Sequence, residues 1–156
     1  DGPMSRGLGD VYKRQVSMDM IIGFCDETEE DHQETLSLMD YVKYDYGYMF
    51  KYSERPNTAA SRKFKDNISE EVKQRRLVEV IAKQQQQSLE NNKQRINQTY
   101  EVLIEGNSKK SKLHYYGRTT HNNVVVFEKE MLKTGEYVKV KIYDCTAGTL
   151  MGKVVK

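Results

Sequence analysis

Residues 18–24 are apolar and partly β-branched up to Gly23 and a polar turn, the pattern of a buried strand. Thr28 followed three residues later by Asp31 has the form of a capping box, and His32, Leu36, Met39 and Val42 then recur at helical spacing. Residues 46–52 predict a second strand. A strand, helix and strand in that order favour a parallel pair with a right-handed crossover, too short to be a whole α/β domain and so the last units of something larger. Residues 53–67, with Pro56 among them, are expected to be loop. Ser69, backed by Glu70 and Glu71, suits the N-cap of a long helix reaching about Asn97, which at roughly 28 residues would extend about 42 Å. Leu77, Val80 and Ile81 form its packing stripe. Beyond them Gln84, Gln85, Gln86, Gln87, Asn91 and Asn92 thin the apolar face and predict a solvent-exposed connector.

After Asn97 the period falls to two. Tyr100, Val102 and Ile104 recur at every second position, apolar runs follow at 124–127 and 137–142, and 150–155 adds a last strand. Turn signals at Glu105-Gly106-Asn107, Asn122-Asn123 and Thr134-Gly135 separate the runs. Four or five short antiparallel strands in so few residues predict a small closed β-barrel of the OB kind. The expected class is therefore α/β plus all-β, with residues 16–97 as an α/β piece ending in a connecting helix and 98–156 as the barrel.

Charge sharpens this division. Residues 16–97 hold 12 Lys+Arg against 15 Asp+Glu, and residues 98–156 hold 10 against 6, so a mildly basic module follows an acidic one. A basic terminal module is compatible with a phosphate-rich partner. Residues 109–118 concentrate the signal: Lys109, Lys110 and Lys112, then His114, Tyr115, Tyr116 and Arg118, read as a basic loop with the mixture of cations and aromatics that RNA surfaces use for phosphate contact and stacking. A hydrophobic content of 37% supports a packed core, and no run approaches the roughly 18 apolar residues of a membrane span. No apolar stretch follows a basic N-terminus, so a cytoplasmic location is expected. Cys25 and Cys145 stand far apart with no CxxC or Cys/His cluster beside them and read as reduced structural thiols, without a metal site. His32 reads as a packed helix residue, and Asp26 and Glu27 as acids at a helix start rather than a general acid/base pair.

The first fifteen residues differ from the rest. They are rich in Gly and Arg without a sustained period, and Asp10-Val11-Tyr12-Lys13-Arg14-Gln15 matches one reading frame of a transposon end used to tag sequencing libraries. Residues 1–15 are therefore expected to be an adapter-derived leader, with the gene truncated at Val16.

Three stretches carry a family pattern. Asp19-Met20-Ile21-Ile22-Gly23-Phe24 followed by Glu27-Thr28-Glu29-Glu30-Asp31 resembles the late-barrel strand and turn of radical S-adenosylmethionine methylthiotransferases. Phe50-Lys51-Tyr52-Ser53-Glu54-Arg55-Pro56-Asn57-Thr58-Ala59-Ala60 resembles their Tyr-Ser-x-Arg-x-Gly-Thr motif, in the form of the MiaB-type enzymes that modify isopentenyladenosine in tRNA. Gly117-Arg118-Thr119 with Val124-Val125-Val126-Phe127 is similar to the closing TRAM domain. Two departures stand out: Cys25-Asp26 where the family usually has Pro-Gly, and Asn57 where it has Gly. Asn tolerates a left-handed backbone better than most residues.

The resemblance implies the C-terminal end of a partial (β/α) radical S-adenosylmethionine barrel, a long connecting helix and an OB-like TRAM barrel. It implies a monomeric enzyme that transfers a methylthio group to C2 of isopentenyladenosine and contacts the tRNA anticodon stem-loop. By resemblance, Gly23, Glu27, Tyr52, Ser53 and Arg55 border S-adenosylmethionine; the basic and aromatic pattern itself predicts that Lys109, Lys110, Lys112, Tyr115 and Arg118 touch RNA. The family also carries two 4Fe-4S clusters, each asking for three thiolates that two distant cysteines do not supply. The fragment alone is accordingly expected to be inactive, with no catalytic residue of its own. The rival expectations are a free-standing OB-like RNA-binding module, or a related methylthiotransferase acting on threonylcarbamoyl-adenosine tRNA or a ribosomal protein.

Overall fold

The computed structural model describes residues 17–129 and 131–155, so the leader expected at 1–15 lies outside the described residues. Two compact units divide inside the long helix, one covering Ser17–Gln87 and the other running from Ser88 onward.

In the first unit β1 (Ser17–Ile22) pairs in parallel with β2 (Tyr46–Lys51), from Ser17 opposite Tyr46 to Ile22 opposite Lys51. Between them lies α1 (Glu29–Val42), and its capping box is complete: Asp31 N donates to Thr28 Oγ1 at 3.1 Å and Thr28 N to Asp31 Oδ2 at 2.8 Å. Met18, Ile22, Met39 and Val80 form the buried core, with Met20, Leu36, Tyr44, Met49 and Leu77 around them. The segment expected to be loop contains a short helix, α2 (Ala59–Lys63), started by Thr58 accepting from Ser61 N. Five residues are too few to show a helical period, which is why the pattern missed it.

The long helix α3 (Glu70–Lys93) stops short of Asn97, whose left-handed φ of 68° turns the chain into the barrel. Asn97 N then donates to Ile142 O at 2.9 Å, and Ile142 N to Gln98 O at 2.9 Å. The second half of α3 is not the exposed connector that its glutamines suggested. Gln84, Gln87, Ser88 and Asn92 are buried, and the three amides satisfy carbonyls: Gln84 Nε2 donates to Tyr44 O at 2.8 Å, Gln87 Nε2 to Met39 O at 3.0 Å, and Asn92 Nδ2 to Thr146 O at 2.8 Å. Met39 O, which also accepts from the C-cap Lys43 N at 2.9 Å, and Tyr44 O lie at and just past the end of α1, where the helix leaves carbonyls for other donors.

The second unit is a closed barrel in the order β3–β4–β5–β7–β6, made of β3 (Thr99–Asn107), β4 (His114–Thr119), β5 (Val124–Glu128), β6 (Tyr137–Cys145) and β7 (Leu150–Val154). Four of its five strand pairs are antiparallel as expected, but β5 and β7 meet in parallel. Val102, Ile104, Val125, Phe127, Val138, Val140, Ile142 and Leu150 fill it. The turn predicted at Glu105-Gly106-Asn107 is instead a bulge inside β3. The chain actually reverses over residues 108–113, so His114 to Arg118 belong to a strand rather than to the basic loop. Gly117 allows that crossing, since a Cβ there would meet Leu103 O at 2.2 Å and that backbone cannot yield.

Candidate nucleic-acid interface and strand-end cleft

The hairpin between β3 and β4 is held from within: Ser108 N donates to His114 O at 2.9 Å, Leu113 N to Ser111 Oγ at 3.2 Å, and His114 Nδ1 lies 2.8 Å from Ser111 Oγ. These bonds leave Lys109, Lys110 and Lys112 exposed around the loop. Alternation along β4 sends His114, Tyr116 and Arg118 to one face, where with Val124, Val126 and Met151 they line a cleft of about 590 Å³ rimmed by Lys109 and Lys110. The arrangement offers an apolar floor, one phenol and one imidazole beneath exposed cations, the combination that accepts an unstacked base and its phosphates.

Not every expected residue joins it. Tyr115 turns the other way: its hydroxyl donates to Leu132 O at 3.0 Å, its ring packs against Phe127, and Lys129 Nζ sits 5.0 Å from its centroid. Arg118 is in the cleft but engaged, with Nε 3.3 Å from Glu105 Oε2 and a terminal nitrogen donating to Asn122 Oδ1 at 2.8 Å. Val124, Val126 and Met151 had no sequence signal as site residues, because only the barrel's register brings them under β4.

The strand ends of the first unit gather a second set. Gly23 N donates to Glu27 Oε2 at 2.8 Å. Glu27 is itself held by Arg76, which reaches its carboxylate at 2.8 Å and its carbonyl at 2.9 Å and extends to Glu29 at 3.2 Å. Arg75 donates to the same Glu29, and chiefly through that bond holds its carboxyl down to about 2. Lys73 lies along Gly23 so closely that a Cβ there would stand 2.4 Å from its Cγ. Burial opposes the charge on Lys73, but Asp66 at 2.6 Å and Glu70 at 3.3 Å outweigh it and raise the ammonium above its ordinary range. His32 is buried with Nε2 2.7 Å from Glu79 Oε2, which fits a packing residue.

Tyr52 follows β2 and is buried against Phe24, with ring centroids 4.9 Å apart; burial first, and then a hydrogen bond with Cys25, push its phenol up. Ser53 and Arg55 are exposed beside it, and with Ile21, Phe50 and Thr58 they line a cleft of about 390 Å³. Among the described residues no carboxylate pairs with the Arg55 guanidinium. Tyr52, Ser53 and Arg55 therefore come together, whereas Gly23 and Glu27 lie under Lys73 and Arg76. Those two cations were missed. Their signal was the spacing of Lys73, Arg76, Val80, Gln84 and Gln87, a single helical stripe of buried positions in which only one member is apolar.

Asn57 has φ 65°, the left-handed turn that its side chain tolerates. Asp26 has φ 63°, and its backbone N–H and carboxylate are both bound by Asn67, at 3.0 and 2.7 Å, which steadies a conformation glycine would adopt freely. Among the described residues no three His, Cys, Asp or Glu side chains are placed to hold a metal, and no helix is long and apolar enough to cross a membrane.

This five-stranded barrel, with a basic hairpin over an aromatic cleft, coincides with a family match: residues 93–155 match the TRAM domain. Over nearly the whole chain the similarity is to the C-terminal part of tRNA-2-methylthio-N(6)-dimethylallyladenosine synthases. The chain is 57% identical over 140 residues to that of Christiangramia forsetii, covering 90% of this chain and 29% of the relative. It is 55% identical over 139 residues to that of Amoebophilus asiaticus, covering 89% and 29%, and 54% identical over 145 residues to that of Flavobacterium psychrophilum, covering 93% and 30%. The chain thus spans about 30% of the length of the curated relatives it matches.

Proposed function

We propose that the chain is the C-terminal part of a cytoplasmic, monomeric radical S-adenosylmethionine enzyme that adds a methylthio group to C2 of isopentenyladenosine in tRNA. In this reading residues 16–97 close a (β/α) barrel and 98–156 grip the anticodon stem-loop. The observation that carries it is the coincidence of the TRAM match with a barrel whose hairpin sets Lys109 and Lys110 over a cleft containing Tyr116.

The residues present do not fit an iron–sulfur cluster. Each cluster needs three thiolates, and the chain has only Cys25, buried in the first unit, and Cys145 in the second. The chain by itself is therefore proposed to be inactive. S-adenosylmethionine fits better, since Arg55 offers an unpaired guanidinium for a carboxylate and Ser53 a hydroxyl, at the C-terminal ends of parallel strands where such sheets bind ligands. When bound, that cofactor supplies the radical and the methyl group. The residues here orient its amino-acid end. Gly23 and Glu27 act one layer behind, with Glu27 pinning the Gly23 turn through the N–H bond while Arg76 pins Glu27.

The RNA reading has a salt signature. If Lys109, Lys110, Lys112 and Arg118 each neutralise a phosphate, the affinity of the chain for a single-stranded RNA loop should fall with salt at a log–log slope of about −3 or steeper. Fluorescence anisotropy over a salt series reads it, and an affinity indifferent to salt contradicts an electrostatic footprint.

A further inference from the structure

The outer face of β6 carries residues that the cleft does not use. Alternation along the strand turns Val138, Val140 and Ile142 into the core and leaves Tyr137, Lys139, Lys141 and Tyr143 exposed. Register adds a third lysine, because β7 sets Lys153 directly opposite Lys141. On the other flank β3 sets Thr99 opposite Lys141 and Glu101 opposite Lys139, while β5 carries the exposed Glu128 one step past the Phe127–Gly152 pair, on the Lys153 side. Like charges facing each other on neighbouring strands are destabilising. No carboxylate forms an ion pair with Lys139, Lys141 or Lys153 among the described residues, and the Lys153 ammonium leans instead over the Tyr143 ring, 6.0 Å from its centroid. The barrel thus keeps two facing lysines, Lys141 and Lys153, with no ion pair to either among the described residues.

We propose that this face of β6 and β7 is a second RNA contact, gripping the phosphate backbone through Lys139, Lys141 and Lys153 while Tyr137 and Tyr143 flank it. The inference rests on the RNA-binding reading of the barrel and adds to it a surface outside the cleft. An anionic backbone relieves the repulsion between Lys141 and Lys153, which a neutral partner would not. Lysine ammonium groups are point charges that suit phosphate oxygens rather than base edges. Side chains on alternate strand residues stand roughly 6.8 Å apart, so Lys139 and Lys141 reach separate phosphates. The division of labour follows: the cleft under the hairpin takes an unstacked base, and this face holds the strand.

The test compares the whole chain with Lys139→Gln/Lys141→Gln/Lys153→Gln, using a synthetic RNA hairpin with an unpaired loop. A Tyr116→Ala/Lys110→Gln variant reports on the cleft separately. Loss of three phosphate contacts should weaken binding about a hundredfold at 0.1 M salt and make the log–log slope shallower by roughly 2. The matching triple Lys→Arg variant should keep both, and thermal melting of the Gln variant should be unchanged or slightly raised. If the Gln variant binds with the parent's affinity and slope while the cleft variant is weakened, this second surface is refuted and the RNA-binding barrel stands. If the parent chain binds no RNA even at low salt, or binds only anionic phosphatidylserine vesicles through these lysines, both fall.

Discussion

Replacing Phe127 with alanine is expected to destabilise the barrel by about 4 kcal/mol, the largest effect of any single substitution in that unit. Phe127 is 1% exposed and sits among the side chains that close the barrel, with Tyr115 tilted against it. It belongs to β5, the strand that pairs with β4 on one side and in parallel with β7 on the other, so the cavity opens where the barrel closes on itself. A close-packed interior relaxes only partly around such a void. Amide exchange of the strands β3 to β7 measures the loss. Protection within about 1 kcal/mol of the parent would mean that the barrel is not packed around this ring.

The second large effect belongs to the first unit. Arg76→Ala should cost about 3 kcal/mol, because it strands a largely buried carboxylate rather than merely removing a contact. Arg76 and Glu27 have side chains only 5% and 16% exposed, and Glu27 also holds the Gly23 turn. Adding Glu27→Gln removes the stranded charge, so the double variant should recover part of the loss. Denaturant unfolding of the three proteins decides it: an Arg76→Ala chain as stable as the parent would reduce this pair to a surface ion pair of small worth.

These two sites differ in how visible they were in the sequence. The barrel interior was legible, since Val138, Val140 and Ile142 alternate strictly with lysines, Val102 and Ile104 keep the same spacing, and only one face of such a strand can be buried. The start of α1 was legible because a capping box is a local exchange of two hydrogen bonds, fixed by residues three apart. The buried face of α3 was not. A stripe of Lys73, Arg76, Gln84 and Gln87 scores as polar, and its burial depends on Asp66, Glu27, Tyr44 and Met39 brought up by tertiary structure. β4 escaped for a related reason, as its residues are mostly half-buried and give little contrast between faces.

The candidate site was legible in composition and only partly in geometry. The basic and aromatic cluster at 109–118 falls on one hairpin, but period two along β4 separates Tyr115 from Tyr116, and only Tyr116 lines the cleft. Likewise Tyr52, Ser53 and Arg55 share a cleft because they are consecutive at one strand end, whereas Gly23 and Glu27 are taken by cations arriving from α3. Resemblance grouped these residues, and packing decides which of them line a cleft.

In the proposed function the terminal barrel, and its hairpin face in particular, meets RNA. Titrating the isotope-labelled chain with an unmodified RNA stem-loop and following its amide resonances tests this residue by residue. The predicted result is a saturable set of shifts at Ser108 to Arg118 and at Thr146 to Met151, the residues that frame the cleft. Shifts confined to residues 17–87, or none at all at low salt, would contradict it.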